Sequence, residues 1–130
     1  AAHELSHRVH LPGAVTDPAR VIGLIDIFAL SSASEQFPLS VVEAMAAGLP
    51  VAAPAVGDIA AMVAEPNRAF IAPADDGEAL AGALRALAAD PPMRARIGAA
   101  NQARARELYD EARMIAAYRA LYGEVLGHAL

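Results

Sequence analysis

Glu35-Gln36-Phe37-Pro38-Leu39-Ser40-Val41-Val42-Glu43-Ala44-Met45-Ala46-Ala47-Gly48-Leu49-Pro50 decides how the rest of the chain folds. Two glutamates, with seven residues between them, bracket the start of a short helix. Pro38 suits the first helical turn, where its missing N–H is no loss, and Gly48 suits the C′ position that ends the helix. Leu49-Pro50 then turns into an apolar strand, Val51-Ala52-Ala53-Pro54. Glu35 therefore belongs just outside the helix N-terminus and Glu43 about one and a half turns inside. Between them lie unpaired N–H groups and the positive end of the helix dipole, a favourable place for a phosphate.

Outward from this segment, strand and helix signals alternate. Residues 8–11 read as a short strand and 17–25 as a short helix. Residues 26–30, apolar without interruption after Asp26, read as a buried strand. Asp58 heads a helix to Ala64, and 69–72 is a further strand. Asp75 with Glu78 makes a capping-box pattern, opening a helix lined by Leu80, Leu84 and Leu87. Asp90-Pro91-Pro92 opens another, with Met93, Ile97 and Ala100 inward. A last helix from Asp110 carries Met114, Tyr118, Leu121 and Val125 as an apolar stripe. The alternation predicts an α/β fold, a partial Rossmann-like parallel sheet with flanking helices, in one domain over residues 1–130. Ligands of such sheets bind beyond the carboxyl ends of the strands, the edge on which the loop 31–38 falls.

Composition narrows the function classes. The net charge is −5 and all ten basic residues are Arg, with no basic block, which argues against a nucleic-acid groove. Cys is absent, so no disulfide framework or thiolate metal site exists. No apolar run reaches the ~18–20 residues of a membrane span. The first residues lack the basic region and apolar core of a signal peptide, and a cytoplasmic setting is expected. His3-Glu4-Leu5-Ser6-His7 matches the His-Glu-x-x-His zinc pattern of hydrolases. Its third ligand is missing: Gly13 stands where the extended form wants His, and Ile27 where the other form wants Glu. No metal site is therefore expected. No Asp-x-Asp motif is present to hold a diphosphate through a divalent ion, and no cofactor is expected.

The segment from Glu35 to Val51 resembles the signature of the family-four retaining glycosyltransferases of the GT-B fold: Glu, seven residues, Glu, then Ala-Met-Ala-Ala-Gly-Leu-Pro-Val. The similarity continues through Ala55-Val56-Gly57-Asp58, Phe70-Ile71-Ala72-Pro73 and the Tyr-x-x-Leu-Tyr from Tyr118 to Tyr122. Backward it runs through Ser31-Ser32, Asp26-Ile27-Phe28-Ala29-Leu30 and Arg8-Val9-His10-Leu11-Pro12-Gly13. The resemblance implies part of the C-terminal, donor-binding domain of such an enzyme. Glu35 would orient the donor sugar through its hydroxyls, a catalytic role but not that of a nucleophile. Glu43 would bind the ribose hydroxyls. Phe37, Pro38, Leu39 and Ser40 would meet the sugar and diphosphate largely through backbone groups, and Val15 would lie near the nucleobase.

The implied reaction moves a hexose from a nucleoside-diphosphate sugar to the hydroxyl of an acceptor sugar or lipid-linked glycan, in polysaccharide or glycolipid synthesis. The setting would be cytoplasmic or peripheral at the inner membrane face. In the family this domain opens with a strand–helix–strand unit carrying an Arg and a Lys for the donor phosphates, and a preceding domain supplies the acceptor site. This chain begins after both. It is thus expected to be N-terminally truncated, inactive alone, and prone to self-association through an exposed sheet edge. Two positions depart from the family. Gln36 stands where Gly is usual, and at positive φ it would carry ~1–3 kcal/mol of strain. Pro38, often Gly, removes a backbone N–H. The alternatives are a nucleotide-binding module without catalysis, a GT-B epimerase or phosphorylase, and the zinc hydrolase.

Overall fold

A computed structural model describes residue 5 and residues 7–128. Helix α1 (Ala19–Ile22) precedes strand β1 (Phe28–Ala29), helix α2 (Leu39–Ala46) and strand β2 (Val51–Pro54). Helix α3 (Ile59–Met62), a 3₁₀ helix (Glu65–Phe70) and strand β3 (Ile71–Ala72) follow, then helices α4 (Gly77–Ala89), α5 (Pro91–Leu108) and α6 (Glu111–Leu126). The strands form a parallel sheet in the order β1-β2-β3, with Phe28 opposite Val51 and Ala53 opposite Ile71. This is the expected α/β architecture.

β2 is the centre of the molecule, and all four of its residues are buried. Val51 and Ala53 join a cluster with Val41, Met45, Ile59, Met62 and Val63. Ala52, between them, joins Phe70, Leu87 and Ile97 in a second cluster. The period-two alternation of a strand thus sends side chains into two layers, one under α2 and α3, the other under α4. Helix α5 serves both, since Ile97 belongs to the second cluster and Ala105 to the first.

Two glycines let α5 reach α2. The motif helix ends in a Schellman motif: Gly48 takes φ 77° at C′, its N–H bonds to Met45 O at 2.9 Å, and Leu49 N–H bonds to Ala44 O at 3.0 Å. Gly98 of α5 lies directly against that turn, so close that a Cβ there would stand 1.9 Å from Gly48 O.

Two fully buried asparagines complete the sheet. Asn67 accepts from Val51 N–H at 2.8 Å and donates to Val51 O at 2.7 Å. Those backbone groups face the β3 side of β2 at a level where β3 has not begun, so the Asn67 amide stands in for a neighbouring strand. Asn101 donates to Leu49 O at 2.8 Å and to Asn67 Oδ1 at 2.7 Å, and accepts from Ala64 N–H at 3.0 Å. Among the described residues no buried side-chain polar atom lacks a partner.

The structure corrects several local expectations. Residues 8–11 form no strand; Arg8 and Val9 both donate back to Leu5 O in a turn, and no strand flanks them. β1 is an edge strand rather than a buried one: Phe28 N–H and Leu30 N–H bond to Pro50 O and Ala52 O, while Ala29, facing the other way, is exposed. Helix α1 covers four of the nine expected residues, and α3 ends at Met62 because Val63 turns extended. β3 starts at Ile71 because Pro66 and the tethered Asn67 hold the preceding residues in a 3₁₀ helix. The cap of α4 is Asp76, which accepts from Ala79 N–H at 2.8 Å, so Asp75 and Glu78 make no capping box. Helix α6 has its expected stripe, but none of its residues is buried.

Candidate functional site

The first turn of α2 lies at the carboxyl edge of the sheet, because α2 follows β1 and leads back to β2. Its N-terminus differs from those of the longer helices. Asp76, Asp90 and Asp110 each cap α4, α5 and α6 through a side-chain oxygen. The residue at that position of α2 is Pro38, extended at ψ 110° and without a capping group. Val41 N–H turns back to Pro38 O at 3.0 Å, and the N–H groups of Leu39 and Ser40 have no acceptor among the described residues. Pro38 itself is buried, which fixes the approach of the loop.

Around this open end, Phe37 and Leu39 are exposed, and Ser40 and Glu35 are half-buried. Glu43 is exposed one turn further along. The side chains of Glu35, Ser40 and Glu43 make no hydrogen bond or ion pair among the described residues. Glu43 lines a groove with Pro18, Ala19 and Ile22 of the α1 region and Ala46 and Ala47 of α2. Val15, exposed on the loop entering α1, lies outside that lining, and so does Glu35. The structure therefore sets Glu43 against α1 and Glu35 in the loop before α2, without lining one groove with both.

The loop carrying Glu35 is braced from behind. Gly57 has φ 54°, and a Cβ there would lie 2.4 Å from Gln36 O and 2.5 Å from Glu35 O. Asp58 N–H donates to Gln36 O at 2.9 Å. Among the described residues only Asp75 is a non-glycine at positive φ, so Gln36 carries no left-handed strain. The side chain of Phe37 meets Tyr109 edge to face, centroids 5.6 Å apart at 75°. A second groove crosses the carboxyl ends of all three strands, lined by Ser31, Ser32, Pro54, Val56, Asp75 and Asp76 among others. The sequence reading named Gly57 and Ser31-Ser32 without giving them these roles, and it missed Tyr109 and the part of the groove beyond β2 and β3; the carboxyl-edge rule applied to all three strands would have pointed to that part.

Three of the ten arginines are occupied elsewhere. Arg94 donates to Leu87 O and Ala88 O, Arg104 to Met62 O and Ala61 O, and Arg113 to Glu107 O. The guanidiniums close the carbonyl ends of α4, α3 and α5 respectively, where the dipole favours a cation. His3 and Glu4 of the zinc pattern lie outside the described residues. His7 accepts from Arg8 Nε at 3.2 Å, and the described residues hold no group of three or more metal-capable side chains.

Comparison with known proteins adds three findings. The model of the family described as glycosyl transferases group 1 matches residues 1–104. A D-inositol 3-phosphate glycosyltransferase from Stackebrandtia nassauensis is 33% identical over 105 residues, 75% of this chain and 24% of the relative. One from Streptomyces avermitilis is 39% identical over 74 residues, 57% of this chain and 16% of the relative. Among solved structures, sucrose-phosphate synthase from Thermosynechococcus elongatus superposes with a TM-score of 0.68 at 29% identity, covering 76% of this chain and 25% of the other. The chain thus spans a quarter or less of the length of these relatives.

Proposed function

Since the chain belongs to the glycosyl transferases group 1 family, we propose that it forms the donor-binding part of a retaining GT-B glycosyltransferase. It would take a hexosyl group from a nucleoside-diphosphate sugar to an acceptor hydroxyl on a sugar or lipid-linked glycan. The observation that carries this reading is the uncapped N-terminus of α2, open at the carboxyl edge of the sheet between Glu35 and Glu43. As the glycosidic bond breaks, negative charge gathers on the departing diphosphate. The N–H groups of Leu39 and Ser40, fixed by the helix and the buried Pro38, stabilise that charge without reorganising. Glu43, in the groove beside α1, would accept hydrogen bonds from the ribose, with Val15 towards the base. Glu35 would hold the sugar hydroxyls. No cofactor or metal enters this scheme. No helix of the described residues is long and apolar enough to cross a membrane, and a peripheral setting on the inner membrane face remains part of the proposal. The open edge of β1 is where copies of the chain would associate.

Glu43→Ala, in the protein at its natural length, should raise the donor KM about tenfold or more and leave kcat close to wild type. Ribose contacts are made in both ground and transition states, and a hydrogen bond to a charged group is worth ~1.5–3 kcal/mol. Glu35→Ala should instead lower kcat. Steady-state kinetics with an unchanged donor KM in Glu43→Ala would reject this division of roles.

Gly57→Ala tests the brace. Its methyl group would collide with two backbone carbonyls and push the Glu35–Gln36 peptide outward by about 1 Å, a displacement that can cost ~100-fold in rate. The loop is at the surface, so the collision is relieved by the loop and not by unfolding. A large fall in kcat/KM with only a small fall in melting temperature is expected; unchanged kcat/KM would show that the loop position is immaterial.

A further inference from the structure

We infer that Tyr109 is a positioning residue for the donor loop, acting through Phe37; this rests on the donor-site reading above. Tyr109 stands at the C-terminal end of α5, 72 residues from Phe37 in sequence, and in none of the segments that carry the resemblance. Three observations fix it in place. Its N–H bonds to Ala105 O at 2.9 Å, closing the helix. Its hydroxyl donates to Met62 O at 3.4 Å, the carbonyl that also receives Arg104 Nε at 2.8 Å. Its ring packs against the first core cluster. One face of the loop residue Phe37 is free to solvent, and the aromatic partner the structure gives it is Tyr109, edge to face at 5.6 Å.

The consequence follows from chain geometry. Phe37 is followed by Pro38, whose φ is locked, and then by Leu39 and Ser40, whose open N–H groups would meet the diphosphate. Gly57 and Asp58 hold the loop at residues 35 and 36, and Tyr109 holds it at 37. Between these two anchors the loop has little freedom to swing the helix start away from the ligand. The ring therefore acts as a pre-organising support: it lowers the entropy to be lost when a donor binds, without touching the donor. An edge-to-face pair of this kind corresponds to about two- to tenfold in a binding constant.

The test uses the protein at its natural length, titrated with UDP, GDP, UDP-glucose and GDP-mannose, together with amide hydrogen exchange at Val41 and Asp58, whose N–H groups bond to Pro38 O and Gln36 O of the loop. Tyr109→Leu should weaken the probe that wild type binds best by about two- to tenfold and speed exchange at Val41 and Asp58, while β2 amides stay protected. Tyr109→Phe, which keeps the ring and loses only the long 3.4 Å hydroxyl bond, should restore most of both. Phe37→Leu, at an exposed position that folding does not depend on, should reproduce the Tyr109→Leu defect. The double variant should be no worse than either single one, because both remove the same contact. Additive losses, or wild-type affinity in Tyr109→Leu, would overturn the inference while leaving the donor site standing. Failure of wild type to bind any of the four probes would overturn the donor site, and this inference with it.

Discussion

Gly98→Ala is expected to lower the unfolding free energy by at least ~4 kcal/mol, in the range reserved for gross steric misfit. The added methyl would stand 1.9 Å from Gly48 O and 2.8 Å from Gly48 C, both backbone atoms. Gly48 cannot retreat by itself, since its φ of 77° and the two Schellman bonds fix the turn. The relief available is separation of α5 from α2, which would stretch the Gln102 Nε2 bond to Ala46 O, now 3.0 Å, and open the core beneath. Helix propensity pulls the other way by only ~1 kcal/mol. Gly82 supplies the control: it lies inside α4 with nothing within 4 Å of its would-be Cβ. Gly82→Ala should stabilise by about 0.5–1 kcal/mol. Urea denaturation of the two variants, one falling and one rising, checks both signs; a Gly98→Ala chain as stable as wild type would mean that α5 does not approach α2 this closely.

Asn67→Leu should cost about 3–5 kcal/mol despite the similar size of the two side chains. It strips Val51 N–H and Val51 O of their partners at a fully buried position, and each orphaned backbone group costs ~1–3 kcal/mol. Asn101 Nδ2 also loses one of its two acceptors. The loss should appear as a lowered midpoint with unchanged denaturant slope, because the folded surface is the same. A loss below ~1 kcal/mol would show that water reaches Val51 and replaces the amide.

These two residues mark where sequence reading stopped. The order of strands and helices was legible because it rests on local signals: Pro38 before a helix, Gly48 after it, an aspartate before each of the last three. Where two signals competed locally, the nearer geometry won, as when Asp76 took the cap from Asp75. Length and burial were less legible, because they depend on neighbours: 27–30 is apolar whether a strand is central or at an edge. Asn67 and Asn101 read as ordinary polar residues, since their value lies in backbone groups 16 and 52 residues away. For the candidate site the open helix start was readable from the local sequence, while the two carboxylates were singled out by the resemblance of their surroundings and not by their spacing alone. The supports at Gly57 and Tyr109 were not, because nothing in their immediate sequence refers to the loop they hold.

The bond from Asn101 to Leu49 has a consequence for how the chain assembles. It closes a loop of 52 residues, an entropic cost of roughly 3–4 kcal/mol before any constant term. Contacts of that separation form late relative to local turns. During synthesis from the N-terminus, α2 and β2 emerge before α5 and lack their buttress until its middle has been made. The strand at the heart of the sheet and the helix that opens at its carboxyl edge are therefore secured from behind, by a segment translated after them. The smallest piece of this protein able to hold the loop before α2 in place reaches past α5, far beyond the motif that contains that loop.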